Sequence, residues 1–181
     1  MKKATLIFTT LLLLSFFFTS NVNAQKFSDL DVSPMDMASY PTSFRDSNKQ
    51  IKVIYSRPQL KERTLDKLAP HGTIWRTGAN EATEIVLYQD FKLGGTFLKA
   101  GTYTFATIPG EKEWTIIFNS DLNTWGAYFY NESNDVARIS VPVTKVDSSI
   151  EAFSIAFTEA ENGIDMHLAW DTVRVLIPFK Y

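Results

Sequence analysis

The sequence predicts an all-β chain folded as a single antiparallel β-sandwich, jelly-roll-like or immunoglobulin-like, of about nine to ten short strands with minimal helix. Three features predict it. From Ile51 onward apolar residues recur at every second position, as a half-buried strand requires. Turn chemistry interrupts these runs at intervals of about 8 to 12 residues, as at Gly94-Gly95, Pro109-Gly110 and Asn162-Gly163. The runs themselves are rich in the β-branched and aromatic residues that suit a pleated surface, and 8 of the 14 Phe, 6 of the 7 Tyr and all 4 Trp lie from Ile51 onward. No fixed-length repeat is present, which argues against a propeller or solenoid.

The elements follow in order. Residues 1–24 open on Met1-Lys2-Lys3, continue as an apolar run from Ala4 to about Phe18, and close on Val22-Asn23-Ala24. This is the pattern of a cleaved secretory signal peptide, with an apolar run shorter than the roughly 20 residues that span a bilayer. Lipid attachment is excluded, because it needs a cysteine at the cleavage point. Residues 25–50 read as a polar extension with one short strand, Met35–Tyr40, and residues 51–181 as the sandwich domain. Ile51, Val53 and Tyr55 alternate until Arg57-Pro58 ends the strand, since proline offers no amide to a ladder. Gln59–Ala69 holds at most one short helix. Glu84–Gln89 is a strand, and Phe91–Leu93 and Thr96–Leu98 form a hairpin on Gly94-Gly95, because a type I′ turn needs positive φ twice.

Beyond it, Gly101–Ile108 places threonines against aromatics, and Trp114–Asn119 directs Trp114, Ile116 and Phe118 to one face. Trp125–Tyr130 is expected as a strand by its alternation. Val136–Val146 is expected as a strand that Pro142 confines to an edge or a bulge. Glu151–Thr158 turns Phe153, Ile155 and Phe157 inward, Ile164–Trp170 turns Ile164, Met166, Leu168 and Trp170 inward, and Val173–Phe179 closes the chain.

Composition narrows the function. With 45% hydrophobic and 21% charged residues the chain can bury enough apolar surface to offset its ordering entropy, which excludes intrinsic disorder. The absence of cysteine excludes disulfides, thiol nucleophiles and cysteine metal sites. Loss of Lys2 and Lys3 on cleavage takes 18 basic against 20 acidic residues to 16 against 20, a charge near −4. Such a balance gives no general attraction to nucleic acid, and after cleavage no membrane insertion is expected. The mature protein is expected in the periplasm or outside the cell. Two histidines and no calcium-loop spacing leave no metal and no cofactor expected, and no nucleophile elbow, phosphate loop or dinucleotide fingerprint occurs. Asn131-Glu132-Ser133 matches a glycosylation sequon, read as a plain loop in a chain whose leader has bacterial character.

Pro70–Thr83 is the stretch that strand patterning does not explain. It concentrates His71, Trp75, Arg76, Asn80 and Glu81 between Gly72 and Gly78, a loop dense in hydrogen-bonding groups on a rigid scaffold. Trp75 can offer a stacking platform, Arg76 a donor fork, Asn80 a donor and an acceptor, and Glu81 an acceptor or base. With Arg57 these form the candidate ligand-binding set for a small polar molecule, a glycan or a peptide. The competing structural reading pairs Arg76 with Glu81, or has them cap the sheet end, and buries Trp75. A hydrolase would use Glu81 with His71, or Asp165 with His167, as its acid–base pair. A third reading is an assembly role with an envelope partner.

The segments Tyr55-Ser56-Arg57-Pro58, WRTGANEAT (75–83), GGTFLKAGTY (94–103), IPGEKEWTIIFN (108–119) and Trp125-Gly126-Ala127-Tyr128 together resemble a secreted bacterial family, domain of unknown function 2911, over about residues 33–179. The resemblance implies a small all-β secreted domain, carries no reaction, and favours Arg57, Trp75, Arg76, Asn80 and Glu81 as positions of its signature segments. Leu65-Asp66 and His71 depart from the family pattern, which weighs against a general role for His71.

Overall fold

The computed structural model describes residues 25–181, so the expected signal peptide lies outside the described residues. Residues 25–30 carry no regular structure. The alternating runs become β1 (Met35–Tyr40), β2 (Ile51–Ser56), β3 (Glu84–Leu87), β4 (Phe91–Leu93), β5 (Thr96–Leu98), β6 (Gly101–Ile108), β7 (Glu113–Asn119), β8 (Asp135–Ala160) and β9 (Gly163–Lys180), within a unit spanning Asp31–Tyr181. Their order in the sheet is β1-β2-β3-β6-β7-β8-β9-β4-β5, with the paired neighbours antiparallel. The predicted all-β class is what forms. The expected N-terminal strand is β1, registered on β2 from Met35↔Ser56 to Tyr40↔Ile51. Gln59–Ala69 yields the single-turn helix α1, Leu65–Leu68. Gly94 and Gly95 both take positive φ, as the expected hairpin turn needs.

Two strands are longer than their sequence runs, and the excess folds the sheet into two layers. A straight strand of 18 residues spans about 60 Å. Yet the two ends of β9 meet: Tyr181 N donates to Asn162 O at 3.1 Å, and Lys180 Nζ to Glu161 O at 2.9 Å. β9 therefore doubles back, and the bend falls at Asp171, the residue in this strand with positive φ other than glycine. Its two arms are the two expected runs. Ile164, Met166, Leu168 and Trp170 of the first arm and Val175, Ile177 and Phe179 of the second are all buried.

β8 wraps this hairpin. Asp135–Pro142 pairs with β7, Val143–Lys145 with the second arm, and Ile150–Ala160 with the first. Val146–Ser149 rounds the tip, where Ser149 Oγ donates to Asp171 Oδ1 at 2.9 Å and Arg174 Nη2 to Ser148 O at 2.8 Å. Pro142 sits where β8 leaves β7, so its missing amide interrupts no ladder.

The core lies between the two layers. Phe179 meets Phe118 at 6.0 Å between ring centroids, and Tyr55 meets Phe153 at 5.7 Å, in edge-on geometry. Such pairs add about 0.5–1.5 kcal/mol each beyond burial. From Tyr55 to Leu60 the chain also stitches the layers together: Phe153 N donates to Pro58 O and Leu60 N to Glu151 O, both at 2.9 Å, and Ile155 N to the Tyr55 hydroxyl at 3.0 Å.

One expected strand does not form. Trp125–Tyr130 is a turn that carries one isolated β-bridge, Glu81↔Trp125, in place of a ladder. Gly126 at φ +66 reverses the chain there, a conformation that overrides the aromatic alternation.

Candidate functional site

The Trp75–Thr83 stretch interrupts a ladder. Trp75 pairs with Thr107, with N–H···O distances of 2.7 and 2.9 Å, and Thr83 O accepts from Phe105 N at 2.7 Å. The residues between loop outward, and Thr83 N donates to Arg76 O at 3.1 Å to close the loop. Buried hydroxyls hold it: Thr77 Oγ1 donates to Thr107 Oγ1 at 3.1 Å, and Thr83 Oγ1 to Thr77 O at 2.8 Å. A Cβ on Gly78 would stand 3.0 Å from Thr83 Oγ1 and 3.1 Å from Ser56 O, so only glycine fits without displacing them.

The structure separates the predicted residues. Trp75 is 6% exposed and stacks on Trp170 at 5.4 Å, with Phe153 and Trp114 edge-on around it. Its Nε1 donates to Gly78 O at 3.2 Å. It is core, as the structural reading has it. Arg57 is a clasp: Nη1 pairs with Asp36 at 3.0 Å, Nε donates to Phe153 O at 3.0 Å, and Nη2 to Ser154 Oγ at 2.7 Å. It joins β1 and β2 to β8.

Asn80 and Glu81 act through their backbones. Asn80 O accepts from Gly126 N at 2.9 Å, Ala82 N donates to Thr124 O at 2.9 Å, and Glu81 bridges Trp125. The loop thus braces the turn Asp121–Tyr130. Its carboxyl side is fixed by Asp135, which accepts from Asn119 Nδ2 at 2.8 Å and from the Tyr130 hydroxyl at 2.7 Å, with Arg138 Nη1 at 3.1 Å.

On this braced turn Trp125, Tyr128 and Phe129 stand 55%, 77% and 79% exposed. Sequence reasoning missed them as site residues, because it placed their run in a strand; Gly126 amid the aromatics is the signal that marks the turn.

Two clefts adjoin beneath it, sharing Ala82 and Thr124. The first is lined by Arg76, Thr104, Asp121, Phe129 and Tyr130 and encloses about 20 Å³. The second, about 210 Å³, is lined by Glu81, Glu84, Asn123 and Tyr55. Arg76 and Glu81 therefore do not pair, which removes that part of the structural reading. The ion pairs among the described residues join Arg57 with Asp36, His71 with Asp66, and Arg138 with Glu132 and Asp135. Arg76 takes part in none, and its enclosed Nε has no hydrogen-bond partner.

His71 lies in a third cleft, with its Nε2 3.2 Å from Asp66 Oδ1, so the Glu81–His71 pair of the hydrolase reading is not assembled. His167 Nε2 lies 2.7 Å from Thr158 Oγ1 on an exposed strand face. Among the described residues no three His, Asp or Glu side chains group to hold a metal ion.

A family model described as protein of unknown function (DUF2911) matches residues 33–179. The chain belongs to this family. No curated protein and no solved structure matches it. In this DUF2911 domain the WRTGANEAT segment is chiefly architectural through Trp75, Thr77, Gly78 and Thr83, and Arg76 is the member left without a structural partner.

The network under the turn of this DUF2911 domain has a pH signature. Burial first, and then the hydrogen bond to Asp135, push the Tyr130 hydroxyl from its usual 10.0 up to about 12. The folded state holds this proton more tightly than the unfolded chain, so the stabilisation is full below pH 10 and is lost as pH rises towards 12. Urea midpoints measured from pH 8 to pH 12 are expected to fall less steeply for Tyr130→Phe than for the parent protein. Equal slopes would remove the phenol from the stability of the turn.

Proposed function

We propose that this protein is an exported, non-catalytic binding module whose braced turn, Trp125–Tyr130, takes a glycan. The observation that carries the reading is the trio of exposed rings, Trp125, Tyr128 and Phe129, on a turn held by backbone hydrogen bonds from the signature loop. Large rings left in water are costly unless something covers them. A pyranose ring presents a face of C–H groups that packs on an aromatic face, and the cleft lined by Asn123, Thr124 and Glu81, which leads up to the turn at Trp125, offers polar groups for its hydroxyls. Export is supported by the N-terminal pattern of residues 1–24. The hydrolase reading lacks comparable support, since Glu81 and His71 line different clefts.

The test is calorimetric titration of the exported protein, whose first residue is expected by terminal sequencing to be Gln25, against a panel of oligosaccharides. Trp125→Ala and Tyr128→Ala are each expected to weaken binding about tenfold to a hundredfold, the range of an aromatic anchor. Because both rings are exposed, unfolding free energies should move by less than about 0.5 kcal/mol. Unaltered affinity in both variants, or no glycan bound by the parent, overturns the reading.

A further inference from the structure

We infer that the glycan is acidic, and that Arg76 receives the carboxylate of a sugar-acid unit whose ring packs on the turn; this rests on the glycan-binding reading above. The first observation is the state of Arg76. Among the described residues this cation has no ion-pair partner, and its enclosed Nε has no acceptor. A buried donor without an acceptor is destabilising, and folded proteins rarely retain one without a use. Asp121, the carboxylate that lines the same cleft, is committed elsewhere: it accepts from Asn134 Nδ2 at 2.9 Å with both oxygens.

The second observation is the place of the guanidinium beneath the turn. A Cβ built on Gly126 would lie 2.7 Å from the Tyr128 ring and 3.6 Å from Arg76 Nη1, so only glycine lets the ring pack on the turn beside the cation. The ring and the cation thus lie within reach of one and the same ligand. The cleft beside them, about 20 Å³, admits a group the size of a water molecule or a single oxygen, which excludes a sugar ring but admits the edge of a planar carboxylate. A guanidinium carries parallel N–H donors, the geometry that matches the two oxygens of that group.

The experiment compares uronate oligosaccharides, namely oligogalacturonate, oligoalginate and hyaluronan fragments, each with its methyl ester, which keeps the sugar and removes the charge. The parent protein is expected to bind at least one acid tenfold or more tighter than its ester. Arg76→Gln should bring the acid-to-ester ratio to about one, and Arg76→Lys should keep part of the preference, because it retains the charge and loses the fork. Since Arg76 has no partner to lose, Arg76→Gln is expected to melt at the parent temperature or above it, which separates this role from a structural one. Acid and ester bound equally by the parent would overturn the acidic assignment and leave glycan binding standing. An acid preference that survives Arg76→Gln would overturn the role of Arg76, and binding of neither form would overturn the glycan reading itself.

Discussion

Replacing Trp75 by alanine is expected to lower the unfolding free energy by about 3–5 kcal/mol, the cost of deleting a large aromatic ring from a packed core. The ring is the point where the two layers lock: it stacks on Trp170 from β9, meets Phe153 from β8 and Trp114 from β7, and is 6% exposed. No neighbour can close the resulting cavity without abandoning its own contacts. Its indole N–H also holds Gly78 O, so the loop that carries Arg76 loosens with it. Trp75→Phe, which keeps most of the apolar volume and loses that bond, should cost markedly less. Urea unfolding followed by circular dichroism measures both. A loss below about 1 kcal/mol for Trp75→Ala, typical of exposed sites, would return this residue to the list of ligand platforms.

Gly163→Ala carries the second large effect, expected at about 3 kcal/mol, the upper end of the ordinary cost of overpacking. A Cβ at this position would lie 2.0 Å from Phe179 O and 3.0 Å from the carbonyl carbon behind it. Both are backbone atoms, which cannot rotate aside as a side chain can. The contact exists because β9 doubles back at Asp171 and brings its first residue against its last. Were β9 one extended strand, position 163 would be an ordinary strand residue and alanine would be tolerated. Thermal and urea unfolding of Gly163→Ala therefore test the topology as well as the site, and an unchanged midpoint would contradict the doubled-back arrangement.

Much of the fold was legible in the sequence because period-two alternation and glycine turns are local signals. The runs ending at Trp170 and starting at Val173 are the arms of β9, and Gly94-Gly95 forms the hairpin turn. Trp125–Tyr130 was misread because the same alternation is produced by a turn whose rings face water, and only the conformation of Gly126 distinguishes the two. The candidate site was legible as a region and not as a set. Residues 75–83 do stand beside the exposed rings, whereas Arg57 and Trp75 serve the layers, and Arg76 and Glu81 face different clefts.

By itself the sequence determined the all-β class, the inward faces of most strands and the segments of the DUF2911 signature, because side-chain periodicity and turn chemistry depend on neighbours a few residues apart. Which polar groups are consumed by the architecture and which are left over was decided only by the tertiary structure. Asp36 reaches Arg57 across a separation of 21 residues, and Gly126 comes to rest beside Arg76 across fifty. A hydrogen-bond ledger closes only when such distant partners have met, and Arg76 becomes conspicuous only once that ledger is closed.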